Sequence, residues 1–370
     1  MKIAAIKYIT GITIILLFYS CSNHSKGFQI SGKLDGVDNR GIALFEWNGK
    51  KDTIAVAKSE NNHFVISGAI SSPLMCYIEI QGVNGYIPAF IENTDIEIAG
   101  DINDLKNVEI TGSNTDKLYK DFSKVFSEKF KSFKDSVSAL YNKAEESNDE
   151  MLLEKAKAGY GVLYTKQKQF IIEFSKKHLY SYAIPYIMLE ELFFRASLDE
   201  VKDLYNQLDT NVKKSKYGQI VDDRIVKLDR VAIGKIAPDF IMNDTSGAPL
   251  ALSSFRGKWV LIDFWSSNCA PCRRDNPKLA DIYKKFNSRG FEILGISSDV
   301  KKELWTSAIR KDRIIWPQVS SLDRSNDIAR KTYCWEYNPY NLLINPEGVI
   351  IAKELNFNDL EIKLSEVLNP

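Results

Sequence analysis

Trp259-Val260-Leu261-Ile262-Asp263-Phe264-Trp265 is followed, after Ser266-Ser267-Asn268, by Cys269-Ala270-Pro271-Cys272. The first run is apolar but for one carboxylate, and its length and flanks are those of a buried strand. A helix is predicted from Cys269 to about Asn287. Cysteines three residues apart at a helix opening share a face, and helix rise and radius place their α-carbons roughly 5 Å apart, within the reach of a disulfide. The pair can therefore open and close without unwinding the helix. Cys269 falls at the N-terminus, where unpaired amides and the macrodipole favour a thiolate. Cys272 falls one turn inside and is shielded.

Outward from this point the grammar is α/β. Upstream stand Ala237-Pro238-Asp239-Phe240 and a Ser246-Gly247 turn. Downstream the expected order is strand Phe291–Ser297, helix Lys301–Lys311, helix Asp323–Tyr333, strand Tyr340–Asn345, strand Val349–Leu355 and helix Asn358–Leu368. Pro346-Glu347-Gly348 makes a hairpin turn between the last two strands. A central sheet flanked by helices follows for residues 232–370.

The preceding residues speak two other dialects. From 27 to 112, short runs such as Ile42-Ala43-Leu44-Phe45, Phe64-Val65-Ile66 and Met75–Ile80 alternate with turn formers, which predicts a small all-β domain of antiparallel strands. From 113 to 231 the period changes: Leu118, Phe122, Val125, Phe126, Phe133, Val137 and Leu140 mark one face of a long helix. Helical stretches follow at Leu152–Phe174 and Pro185–Phe194, and from Ser197, where Ser197-Leu198-Asp199-Glu200 has capping-box form. Residues 1–20 are set apart, with Lys2 and Lys7 before an apolar run that ends at Ser20-Cys21. That is the anatomy of a cleaved signal peptide, too short to span a bilayer.

The chain has 370 residues, 49 basic against 48 acidic side chains and a net charge of +1, which argues against a nucleic-acid partner. Of five cysteines, only Cys269 and Cys272 are close in sequence. A structural zinc site needs two more ligands, and Cys76, Cys334, His24, His63 and His178 form no second pair. Arg273 stands where c-type haem attachment needs histidine. Histidine is absent after residue 231, which removes Cys-His catalysis. A redox-active pair and a static disulfide remain.

Together, Val260–Trp265, Cys269-Ala270-Pro271-Cys272 and Pro277 resemble the active-site segment of the thioredoxin superfamily. From Ile233 onward the chain most resembles the TlpA/ResA-type branch, membrane-tethered thioredoxins of the bacterial envelope. Gly234–Phe240, Leu252–Lys258 and Gly295-Ile296-Ser297-Ser298-Asp299 agree with that branch. Cys21, after a small residue at the end of the apolar run, resembles the acylated cysteine of a bacterial lipoprotein.

The resemblance implies a thiol-disulfide oxidoreductase acting by dithiol-disulfide exchange, with Cys269 as nucleophile and Cys272 as resolving thiol. It makes Asp263 the buried carboxylate beneath the pair and Pro339 the cis-proline that docks substrate backbone. Trp265 and Asn338 are expected beside the substrate. Implied partners are disulfide-containing envelope proteins and a membrane electron donor, with no cofactor or metal. A periplasm-facing lipoprotein anchored through Cys21 is the expected setting. The alternatives are a peroxiredoxin-like thiol peroxidase, for which Ser266 stands in place of the needed threonine, and a ligand-binding lipoprotein with an accessory redox domain.

Overall fold

The computed structural model describes residues 27–147 and 149–368. The expected signal peptide and Cys21 lie outside the described residues. The chain separates into two compact units, which divide between Asp121 and Phe122.

In the first unit, β1 (Phe28–Asp35), β2 (Gly41–Trp47), β3 (Lys51–Lys58), β4 (His63–Gly68), β5 (Leu74–Ile80), β6 (Ile87–Ile91), β7 (Asp95–Asp101) and β8 (Glu109–Thr111) form two four-stranded sheets. Their orders are β4-β1-β7-β8 and β3-β2-β5-β6. Alternation sets which face is buried: along β1, Phe28, Ile30, Gly32 and Leu34 are inside and the residues between them outside. One expectation is corrected. β1 and β7 run parallel, with Ile30 opposite Ile96 and Gly32 opposite Ile98. Alternation reports a strand's face, whereas the direction of a partner distant in sequence leaves no trace in it.

Six helices come next: α1 (Asn114–Ser147), α2 (Glu150–Lys176), α3 (Ala183–Ile187), α4 (Leu198–Gln207), α5 (Thr210–Lys214) and α6 (Lys216–Arg230). In α1 and α2 the predicted stripes meet. Phe122 stacks on Phe170 at 6.0 Å and meets Phe174 at a tilt at 5.1 Å, while nearer the connecting turn Tyr141 meets Tyr160 edge-on at 6.2 Å. That pairing order makes the two helices an antiparallel hairpin. The capping box at Ser197 and Glu200 is present, each side chain bonding the other's backbone amide. The stretch expected as one helix at Pro185–Phe194 instead passes from α3 into a π-helical turn, Met188–Leu192.

The C-terminal region contains β9 (Ile241–Asp244), β10 (Pro249–Ala251), β11 (Trp259–Trp265), α7 (Ala270–Phe286), β12 (Phe291–Ser297), α8 (Lys302–Asp312), β13 (Gln318–Ser320), α9 (Ile328–Tyr333), β14 (Tyr340–Ile344), β15 (Ile350–Lys353) and α10 (Phe357–Leu368). They build a seven-stranded sheet of order β10-β9-β13-β12-β11-β14-β15. β11 pairs parallel with β12 and antiparallel with β14. The strand carrying Asp263 is thus interior, and its two faces feed two cores. Val260, Ile262 and Phe264 join Leu294, Ile296 and Leu342. Leu261 and Trp265 join Leu279, Phe286 and Ile293 on the α7 side. Period-2 alternation therefore aims Asp263 at the helix that bears the cysteines. Truncating one such core side chain to alanine costs about 2–5 kcal/mol.

Two local readings differ from expectation. α9 begins at Ile328 rather than Asp323, because Asp323 turns its carboxylate back onto the amides of Ser325 and Asn326, and Asp327 caps the helix through the Arg330 amide at 2.8 Å. β13 went unforeseen, since three residues after a proline carry no readable period. The hairpin at Pro346–Gly348 is as expected, with Gly348 at φ +86°.

Candidate active site

Cys269 is the N-cap of α7. Its backbone is extended and its Sγ accepts the Cys272 amide at 3.2 Å. Pro271 lies in the first turn, where a missing N–H costs nothing. The two cysteines are joined as a disulfide with α-carbons 5.3 Å apart, close to the distance expected from helix geometry. Their exposure differs: Cys269 is half-buried, whereas Cys272 is 5% exposed. Only the first sulfur is open to attack from outside.

Arg273 does not serve the thiolate. Its guanidinium forks onto Asp312, with Nη2–Oδ1 at 2.6 Å, and Nη1 donates to the Ser267 carbonyl at 3.0 Å. Asn276 adds a bond to the same carboxylate at 2.7 Å. This cluster fastens α7 to the end of α8. Arg274 is likewise paired, with Glu145 at 2.5 Å.

Beside Cys272 lies a cavity of about 640 Å³ whose walls include Asp263, Cys272, Asp275, Asn276, Pro339 and Tyr340. Asp263 meets it from below. Burial, reinforced by the neighbouring carboxylate of Asp275, pushes the Asp263 acid up to about 7. Burial also raises Asp275, against the opposing pull of Arg274, Lys157 and Lys278. The sequence reading missed Asp275. Its signal was available, since it stands three residues beyond Cys272 and so shares that face of the helix.

Pro339 is exposed at the cavity edge, and its bond to Asn338 is cis. Asn338 works behind it. Its Nδ2 donates to Ser266 Oγ at 3.2 Å and Ser298 Oγ at 3.4 Å, and its Oδ1 accepts from the Trp335 indole at 2.8 Å. These bonds tie the Pro339 loop to the segment before Cys269, which gives Asn338 a positioning role. Trp265 needs a correction. It is 0% exposed, and its Nε1 donates to Gln318 Oε1 at 2.8 Å, so it packs the core and offers a substrate no surface. Gly295 makes that bond possible, because a Cβ there would lie 2.1 Å from the Gln318 amide nitrogen.

The remaining candidates lie elsewhere. Cys334 is half-buried at the left-handed end of α9 and does not line the cavity; burial raises its thiol pKa. Cys76 is buried in β5. Among the described residues, no group of three or more histidine, cysteine or acidic side chains is arranged to hold a metal ion.

A half-buried cysteine at a helix N-cap, a shielded partner one turn on, a half-buried carboxylate in the adjoining cavity and a cis-proline at its edge are the parts of a dithiol–disulfide exchange site of the thioredoxin class. Residues 233–353 match the model of the AhpC/TSA family, and residues 28–119 match a domain of unknown function, DUF4369. The thiol-disulfide oxidoreductase ResA of Geobacillus kaustophilus (strain HTA426) is 30% identical over 37% of this chain and 79% of its own length. ResA of Bacillus subtilis (strain 168) is 32% identical, and the matched segment covers 33% of this chain and 66% of that relative, a little under two thirds. Among solved structures, the thioredoxin domain of a thiol-disulfide oxidoreductase from Bacteroides vulgatus is 37% identical, covering 37% of this chain and 99% of that one, with a TM-score of 0.35. The chain belongs to the ResA-type thiol-disulfide oxidoreductases.

Proposed function

We propose that this protein is an exported, lipid-anchored reductase of disulfides in other envelope proteins. The observation that carries the reading is the asymmetry of the pair, with Cys269 half-buried and Cys272 buried against a cavity that holds a carboxylate titrating near 7. In the reduced protein, Cys269 thiolate attacks one sulfur of a substrate disulfide and the other sulfur leaves as a thiolate. Cys272 gives its proton to Asp263 and attacks Cys269 Sγ, releasing the second substrate thiolate and closing the Cys269–Cys272 bond. A membrane electron donor then returns two electrons to the pair. No organic cofactor or metal enters this cycle.

The reductase direction is supported by what faces Cys269. Strong oxidants of this class stabilise their thiolate. Here Ala270 and Pro271 carry no charge and Arg273 is engaged by Asp312, which leaves the helix terminus as the stabilising influence. The reduction potential is therefore expected below about −200 mV. Equilibration of the protein in glutathione redox buffers, with free thiols counted after acid quench, measures it. A value above about −150 mV overturns the reductase in favour of an oxidase. The peroxidase alternative is weakened by Ser266, whose hydroxyl is bonded to Asn268 Oδ1 at 2.7 Å.

The membrane anchor rests on sequence alone, on Cys21 at the end of the apolar run. A Cys21→Ala protein is expected in the soluble envelope fraction after export. Retention in the membrane fraction would require a different anchor.

A further inference from the structure

One wall of the redox cavity comes from outside the segment matched by the AhpC/TSA family. Glu154 and Lys157, near the start of α2, line it together with Asp263, Cys272 and Asp275. Lys157 pairs with Glu154 at 2.8 Å and its charge acts on Asp275 against the effect of burial. Two further ion pairs fasten the tip of the α1–α2 hairpin to the cysteine-bearing helix. Arg274 meets Glu145 near the end of α1, and Lys278 meets Glu150 at the start of α2, at 3.4 Å. Arg274 and Lys278 are four residues apart and so share one face of α7. Their partners lie on either side of the hairpin turn, so the tip is held at two points rather than grazing the helix at one.

We infer that the tip of the α1–α2 hairpin is an access-controlling wall of the redox site, narrowing the cavity on the Cys272–Asp263 side so that small solutes reach the resolving thiol and its carboxylate while bulky ones are turned away. This rests on the thiol-disulfide exchange reading. The fastening is reversible by its nature, because exposed ion pairs are individually weak and are screened by salt. Loosening the tip leaves α7 intact, since that helix is anchored separately by Leu279, Ile282 and Phe286 in the core and by Arg273 on Asp312.

The test measures access to Cys272 in the full chain carrying Cys269→Ser. Its thiol is alkylated in parallel by iodoacetamide and by a bulky polyethylene-glycol maleimide, and the ratio of the two rates is the readout. Glu145→Arg and Arg274→Glu, singly, are expected to shift the ratio about fivefold towards the bulky reagent, equivalent to about 1 kcal/mol of closure lost. The exchanged pair, Glu145→Arg with Arg274→Glu, is expected to restore the parent ratio. Should either single variant fold poorly, Glu150→Arg and Lys278→Glu repeat the measurement at the second pair. Unchanged ratios in the single variants overturn the inference, as does an exchanged pair that stays open. With both cysteines present, reduction of insulin by the same variants is assayed in parallel. If no variant reduces any disulfide while the alkylation ratios move as stated, the exchange reading fails and the hairpin wall stands.

Discussion

A Cys269→Ser protein is expected to lose disulfide reduction by about 1000-fold or more, whereas Cys272→Ser accumulates covalent complexes with its substrates. The two thiols are close in space and unlike in surroundings. Cys269 is half-buried at the N-cap, where the Cys272 amide already points at its sulfur. Without that sulfur attack on a protein disulfide falls away, because Cys272 is only 5% exposed. Without Cys272 the attack still occurs, but the mixed disulfide lacks its internal resolving thiol. Non-reducing electrophoresis of cell envelopes, followed by mass spectrometry of the trapped species, reads both outcomes and identifies the substrates. Equal trapping by the two variants would reverse the roles assigned to the cysteines.

Replacing Asp263 by asparagine should produce opposite effects on rate and stability. As the proton acceptor for Cys272, Asp263 works in its ionised form, so the wild-type resolution rate should climb as pH rises through about 7. Asp263→Asn is expected to slow resolution by about 100-fold and to erase that inflection. Stopped-flow measurement of mixed-disulfide decay between pH 6 and 9 tests this, and an inflection that survives in the variant would remove Asp263 from the role. Stability runs the other way. The acid is raised to about 7 in the folded chain and titrates at about 3.9 when unfolded, so between these values the unfolded state releases a proton that the folded state keeps. Stability therefore declines as pH rises from about 4 to about 7 and is flat above. Allowing for contact with the cavity's solvent, the decline is about 2–4 kcal/mol. Asp263→Asn should lack it, and so should be more stable than wild type by that amount at pH 8 and about equal at pH 4 in urea denaturation.

The sequence revealed those parts of the fold whose causes are local. The Val260–Trp265 strand, the N-terminal placement of Cys269, the Ser197 capping box and the Pro346–Gly348 turn each follow from a few adjacent residues. Three features were hidden because their causes are distant. The parallel pairing of β1 with β7 joins strands about sixty residues apart. Trp265 was placed beside substrate because it matches a ring that packs near the site in the family it resembles, yet its partner is Gln318, on a three-residue strand with no readable period. Lys157 reaches the cavity from a helix whose amphipathic pattern describes only its packing. Asp275 is different, since its spacing from Cys272 was in plain view and the helical period alone sufficed to find it.

The side chain of Asn338 holds together three loops that are far apart in the chain: the one after β11 through Ser266, the one after β12 through Ser298 and its own through Trp335. Loops joined this way cannot sample their conformations independently, and the entropy of arranging them is lost when the protein folds rather than when a partner arrives. A disulfide approaching Cys269 therefore meets a Pro339 loop already set at its working distance. Encounters then demand ordering from the incoming chain alone, and the site itself adds no further entropic cost to binding.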